Sequence, residues 1–254
     1  MTQDASNVLG KVHCLDTVEF CHSLPEGFID LTVTSPPYNV SIDYDTHEDT
    51  MSYEEYIEWL DSVWASLYRA HKEHSYIAVN IGRNTEHNTP AHISAGLEKA
   101  GFKFYKSIVW TKPVGAANQV MWYKWPFPRY YEPYLITEDI LIYTKGEVKG
   151  EFRGEKIDCL DPDFIRAVST NVWYMQPDGA KVHSGIHPAP FPIELPSRLI
   201  SLLSLPGDVV YDPFTGSGTT LQAAKDLGRE YLGTDIDVGY CEYANRLLEQ
   251  GGLF

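Results

Sequence analysis

Apolar and polar positions alternate along this chain in two rhythms. Short apolar or strictly alternating runs predict strands at Lys11–Cys14, Phe28–Thr34, Tyr76–Ile81, Lys103–Trp110, Asp139–Thr144, Asp208–Tyr211 and Tyr231–Asp235. Between them lie stretches with the 3.6-residue period of helices, and that interleaving is the mark of an α/β fold. The clearest helix is SYEEYIEWLDSVWASLYRA. Tyr53, Tyr56, Ile57, Leu60, Trp64 and Leu67 fall on one face, and Ser52 with Glu55 makes a capping box. TPAHISAGLEKAG predicts another, with Thr89 as cap, Pro90 in the first position and Gly101 past the end. Further helices are expected over Pro196–Leu205 and Val238–Glu249, and one opens near Thr219. Periodicity is weakest from about 146 to 186, which reads as a loop-rich lobe on one domain spanning 1–254.

Composition narrows the class. At 254 residues, with 43% hydrophobic and 22% charged positions, the chain has the make-up of an ordinary globular protein with one sizeable core. No apolar run approaches the roughly 18 residues that a membrane span needs. MTQDASNVLGK lacks a basic-then-apolar leader pattern, so a cytoplasmic location without membrane contact is expected. Cys14, Cys21, Cys159 and Cys241 form no CxxC pair, which argues against a metal site and for reduced thiols.

Net charge is −15, and it is unevenly spread: residues 1–60 carry twelve acids against one base. Such a chain is not a non-specific nucleic-acid coat, because neutralising phosphates needs a basic surface. Local bases are nonetheless available in or beside the lobe, at Lys145, Lys149, Arg153, Lys156, Arg166 and Lys181.

VTSPPYNV, residues 33–40, interrupts a strand abruptly. Two consecutive prolines deny the sheet further ladder bonds, and the residue before each is held extended, so the turn is stiff. Tyr38 sits at its lip. A second landmark is VVYDPFTGSGTTLQAAKDLG at 209–228: a strand ending at Asp212, a glycine-bearing loop and a helix opening near Thr219. This layout suits a nucleotide-type ligand beside a helix N-terminus. No Lys follows the second glycine, so it is not a Walker loop, and GSG lacks the third glycine of a dinucleotide fingerprint. An adenosine-type ligand without a phosphate chain remains. Asp235, ending the next strand, is placed to accept ribose hydroxyls, and Asp212 to hold an ammonium group.

Together TSPPYN and DPFTGSGTT resemble the motifs of the S-adenosylmethionine-dependent DNA amino-methyltransferases, which methylate an exocyclic amine. The shelf motif precedes the cofactor motif, the circularly permuted order of that family's beta class. IVWTKP, RYYEPYLITEDILIYTK and HPAPFPIELPSRLISLLSLPGDVVYDPF extend the likeness over most of the chain. The resemblance implies a class I methyltransferase (Rossmann-like) fold, a mixed seven-stranded sheet with helices on both faces. It implies Ser35, Pro36, Pro37 and Tyr38 as catalytic residues. For S-adenosyl-L-methionine it implies Asp16, His187, Phe191, Asp212, Phe214, Gly216, Ser217, Gly218, Thr219 and Asp235, and no metal. Double-stranded DNA is the implied partner, with a homodimer and a cognate restriction endonuclease as further candidates.

The chemistry explains the shelf. The amine on cytosine or adenine is a poor nucleophile because its lone pair is delocalised. A rigid turn offering the Ser35 side chain and the Pro36 carbonyl as acceptors favours a pyramidal nitrogen, so catalysis is positioning and electrostatics. Tyr38 offers a π-face to a base taken out of the duplex. Methylation at ring carbon would need a cysteine nucleophile, and no Pro-Cys shelf exists. Ser rather than Asp or Asn at the head of the tetrapeptide tilts the resemblance toward N4 of cytosine in a short DNA sequence. Adenine N6 is the runner-up, ahead of an RNA amino-methyltransferase or a non-catalytic binding subunit. MWYKWPFPRYY, residues 121–131, interleaves six aromatics with Lys124 and Arg129 and reads either as a core-covering loop or as a base-stacking surface.

Overall fold

The computed structural model describes residues 7–37, 51–83, 86–113, 128–129, 135–147, 161–177 and 191–250. Among these residues eight strands form one mixed sheet: β1 (Lys11–Cys14), β2 (Ile29–Thr34), β3 (His71–Gly82), β4 (Lys103–Thr111), β5 (Thr137–Thr144), β6 (Val172–Tyr174), β7 (Val209–Asp212) and β8 (Glu230–Asp235). Their spatial order is β1-β8-β7-β2-β3-β5-β4-β6. β1, β8, β7, β2 and β3 run parallel, β5 is antiparallel to both β3 and β4, and β6 is parallel to β4. All seven expected strands are present. The eighth, β6, lies in the stretch expected to be loops and adds only three residues to the sheet edge.

The described residues also form seven helices: α1 (Thr17–Ser23), α2 (Tyr53–Ala70), α3 (Thr89–Ala100), α4 (Pro162–Val168), α5 (Glu194–Leu203), α6 (Thr219–Asp226) and α7 (Val238–Glu249). One core layer joins Ile77, Val79 and Ile81 of β3 to Phe20 of α1, Leu60, Trp64 and Leu67 of α2, and Ile93 and Leu97 of α3. On the other face Val33, Ala78 and Ile140 meet Leu195 and Leu199 of α5 and Ala223 of α6. The alternation within β3, with Ala78 on one side and Val79 on the other, is the period-2 pattern of a strand buried on both faces.

Local chemistry sets the boundaries. In α2 the capping box forms as expected: Ser52 N–H donates to Glu55 Oε2 at 2.8 Å, and Glu55 N–H donates to Ser52 Oγ at 3.3 Å. In α3 the cap is displaced by one residue from expectation. Asn88 is the N-cap, while Thr89 is buried as the first helical residue; Gly101 ends the helix in the left-handed region at φ 111°. α5 starts two residues before the expected Pro196, which the first turn tolerates because its N–H would be unsatisfied there anyway. β3 begins five residues before the expected Tyr76. His71 is fully buried there, bonded to Thr32 Oγ1 at 2.8 Å and Ser75 Oγ at 2.9 Å, and burial lowers its pKa to about 3. Beside it Lys145, 6% exposed, donates to the carbonyls of Tyr68 and His71, both at 2.9 Å. Lys145 therefore holds the end of the sheet opposite the shelf and is no phosphate contact.

The connections leaving β2 and β7 run in opposite directions, through α2 to β3 and through α6 to β8. The carboxyl ends of β2 and β7 therefore flank a topological switch point, the crevice where open α/β sheets bind ligands. Gly233 keeps the neighbouring strand tight beneath it: a Cβ there would lie 2.7 Å from Leu221 Cδ1 and nearer still to Thr215 Oγ1. Gly233→Ala should cost about 1–3 kcal/mol in chemical denaturation, as overpacking does, and loosen the 213–218 loop.

Candidate active site

Two motifs meet at the switch point. β2 runs from Ile29 into Thr34 and directly into the shelf, where Pro36 is buried and Ser35 and Pro37 are half-buried. β7 ends beside it at Asp212, and the Thr34 hydroxyl donates to Asp212 Oδ1 at 2.6 Å. Both residues are shielded from water, at 0% and 1% exposure. From α2, the Tyr56 hydroxyl donates to the Pro37 carbonyl at 2.6 Å and pins the far end of the shelf. Tyr38, the fourth expected catalytic residue, lies outside the described residues.

The loop after Asp212 is held by backbone and hydroxyl bonds. Thr215 N–H donates to the Thr234 carbonyl at 3.0 Å and Thr215 Oγ1 donates to the Asp212 carbonyl at 3.0 Å. Under it lies a buried hydroxyl chain. Thr17 Oγ1 donates to the Pro213 carbonyl at 2.6 Å and meets Thr234 Oγ1 at 2.8 Å, which in turn meets the Tyr211 hydroxyl at 2.7 Å. Phe214 packs against Trp59, ring centroids 5.5 Å apart. Gly216 and Gly218 take positive φ angles of 50° and 88°. At Gly218 the loop also passes α7 closely, since a Cβ would sit 3.1 Å from that of Ala244. Ser217 is buried, and Thr219 opens α6 with its hydroxyl 3.3 Å from that of Ser217.

Both expected acids stand at strand ends. Burial raises the Asp212 pKa to about 6, opposed by the Thr34 hydroxyl and the Phe214 N–H and reinforced by the charge of Asp235. Burial also raises Asp235. Its Oδ2 accepts from Gly216 N–H at 2.8 Å and its Oδ1 from Asp237 N–H at 2.9 Å, so it holds the loop from the end of β8. Each carboxylate oxygen can accept twice, which leaves room for ribose hydroxyls. Asp16 follows β1, and Leu15 N–H bonds the Asp235 carbonyl at 3.1 Å, which places Asp16 at the same edge. There its Oδ1 caps α1, accepting from Val18 and Glu19 N–H at 2.9 and 3.0 Å. Phe191 is packed against the α5 face of the core, and His187 lies outside the described residues.

Several neighbours had no signal in the sequence motifs. Leu15, Ile236 and Val238 are large apolar residues exposed at 41%, 55% and 60% around Asp235, an apolar flank suited to a heteroaromatic ring. In the β2–β3 register Thr34 pairs with Val79, so Asn80 stands beside Ser35. Asn80 Nδ2 donates to Glu138 Oε2 at 2.6 Å, and Lys112 Nζ pairs with Glu138 Oε1 at 2.5 Å, a polar wall flanking the shelf. A ligand with an ammonium group, ribose hydroxyls and an aromatic ring fits Asp212, Asp235 and this apolar flank. Among the described residues no cluster of three or more His, Cys, Asp or Glu side chains is disposed to hold a metal ion, and no helix is long and apolar enough to cross a membrane.

This arrangement is that of a methyltransferase, and comparison with known proteins agrees. The DNA methylase family of N6 and N4 methyltransferases matches residues 29–246. Type II methyltransferase M.ScaI of Streptomyces caespitosus is 30% identical over 92% of this chain and 79% of its own length. M.HpaI of Haemophilus parainfluenzae is 30% identical over 94% and 74%. Among solved structures, TTHA0409 of Thermus thermophilus, provisionally assigned as a DNA modification methylase, superposes with a TM-score of 0.74 at 28% identity, covering 96% of both chains. A second structure of it holds S-adenosyl-L-methionine. The PvuII cytosine-N4-specific methyltransferase shares the fold, with a TM-score of 0.69 at 18% identity over 95% of this chain and 88% of its own. The chain belongs to the N6/N4 DNA methylase family.

The raised Asp212 pKa has a consequence for stability. The folded protein binds this proton more tightly than the unfolded chain does. The acid therefore stabilises the fold below its ordinary pKa of 3.8, and that contribution is lost as pH rises to about 6. At pH 7 its charge is a burden on the ligand-free protein, on the order of 2–3 kcal/mol. Asp212→Asn should raise the melting temperature of the ligand-free protein at neutral pH while abolishing cofactor binding in calorimetry.

Proposed function

We propose that this DNA methyltransferase transfers a methyl group from S-adenosyl-L-methionine to the N4 amine of a cytosine flipped out of a short specific DNA sequence. The observation that carries this reading is the 2.6 Å bond from Thr34 to Asp212, which fastens the base shelf to the cofactor loop. When bound, S-adenosyl-L-methionine supplies an electrophilic methyl group on a sulfonium. Asp212 neutralises its ammonium, Asp235 accepts the ribose hydroxyls, and Leu15 and Ile236 cover the adenine ring. Phe214, Gly216, Ser217, Gly218 and Thr219 shape the loop around it, with Asp16, His187 and Phe191 completing the cofactor side.

On the base side, Ser35 and the Pro36 carbonyl accept the two amine hydrogens and turn the nitrogen lone pair toward the methyl carbon. As the nitrogen–carbon bond forms and the carbon–sulfur bond breaks, the nitrogen loses one of those hydrogens as a proton to water. Pro37 fixes the shelf through Tyr56, and Tyr38 stacks on the extrahelical base. No cysteine nucleophile is involved; Cys21 and Cys241 are buried, and burial holds the Cys21 thiol up at about 11. Contacts to the duplex come from the segment of about 146–186 and the aromatic loop, most of which lies outside the described residues. A homodimer and a cognate restriction endonuclease are consistent partners, and the cytoplasm the compartment.

The shelf serves adenine N6 by the same logic, so the base is assigned on Ser35 alone. Mass-spectrometric nucleoside analysis of DNA treated with the purified protein should reveal N4-methyldeoxycytidine. N6-methyldeoxyadenosine instead would overturn the base assignment, and unmodified DNA the enzyme itself. Ser35→Ala should slow transfer by about a hundredfold, as loss of one preorganised hydrogen-bonding group does, with little change in cofactor affinity.

A further inference from the structure

Thr34 belongs to neither expected set of functional residues, although it stands where the two motifs touch. Its side chain is fully buried at the last position of β2, its hydroxyl is 2.6 Å from Asp212 Oδ1, and the next residue is Ser35. We propose that Thr34 is a positioning residue that keeps Asp212 ionised for the cofactor's ammonium, and so ties cofactor affinity to the same strand end that presents the target base. The inference rests on Asp212 holding the cofactor.

The environment of Asp212 explains why such a donor is needed. The carboxylate is buried at the end of β7, and its acidic neighbour on the adjacent strand is Asp235 of β8, which repels it. Against these stand two donors, the Thr34 hydroxyl from β2 at 2.6 Å and the Phe214 N–H at 3.1 Å. Asp235 has its own donors, from Gly216 and Asp237. Removing the Thr34 donor leaves the buried charge less well solvated, so the acid holds its proton to higher pH. A protonated Asp212 cannot pair with an ammonium group. The threonine therefore acts on affinity through the ionisation of its neighbour, without touching the ligand.

Calorimetric titration with S-adenosyl-L-methionine from about pH 5 to about pH 8 tests this, since one pKa unit is tenfold in the fraction ionised below the midpoint. Wild type should lose affinity on the acid limb. Thr34→Val fills the same space without the hydroxyl and should move that limb up by about one pH unit, with affinity recovering toward wild type at the alkaline end. Thr34→Ser should restore the wild-type limb. The ligand's own amine titrates at the alkaline end and is common to all variants. A Thr34→Val loss that is uniform across pH, or no loss, would overturn the role of Thr34. An Asp212→Asn variant that binds like wild type would overturn the cofactor role of Asp212, a separate failure.

Discussion

The hydrogen bond between Thr34 and Asp212 is the contact on which the site depends. It joins the last residues of two adjacent parallel strands, at the one point of the sheet where the following connections diverge. On one side of it the chain becomes a proline-locked shelf; on the other it becomes a glycine-bearing loop. A net worth of roughly 1.5–3 kcal/mol is usual for a hydrogen bond to a charged group, and leaving a buried carboxylate without it costs more. Few single bonds in the molecule could be lost with effects on both halves of the reaction.

Around that bond the protein commits polar groups to rigidity. The Thr17, Thr234 and Tyr211 hydroxyls floor the Pro213 turn, Asp235 holds Gly216, and Tyr56 holds Pro37. None of these groups needs to touch a substrate to matter. They fix donors and acceptors before the ligand arrives, so little reorganisation remains for the transfer step. The burden is electrostatic: Asp212 is buried and Asp235 half-buried, and both are held above their ordinary pKa. A cationic ligand relieves that burden, which couples the stability of the fold to occupancy of the site.

Much of this was legible in the sequence, and the misses have physical reasons. β1, α7 and the strand–loop–helix at 209–228 carry strong local signals: alternation, an Asp cap, glycines at a turn. β6 is three residues long, below any periodicity, and exists because Trp110 and Thr111 of β4 offer it a partner. The start of β3 was hidden because HKEHS reads as polar, yet His71 and Ser75 bury by bonding to each other, and His71 bonds Thr32 as well. Asp16 is an expected cofactor residue; what the fold gives its carboxylate is the cap of α1, a use that the sequence TVEFCHS following it could have signalled. Thr34 and Asn80 left no trace, since their importance comes from register between strands distant in the chain. The motifs named the parts, and only the topology showed which parts touch.

Hydrogen–deuterium exchange with and without S-adenosyl-L-methionine, in the absence of DNA, tests the linkage of shelf and loop most directly. If the Thr34–Asp212 bond unites them, the cofactor alone should slow exchange both in the 212–218 loop and in the peptide spanning β2 and the shelf. Protection confined to the loop, with β2 and Ser35 unchanged, would contradict the account.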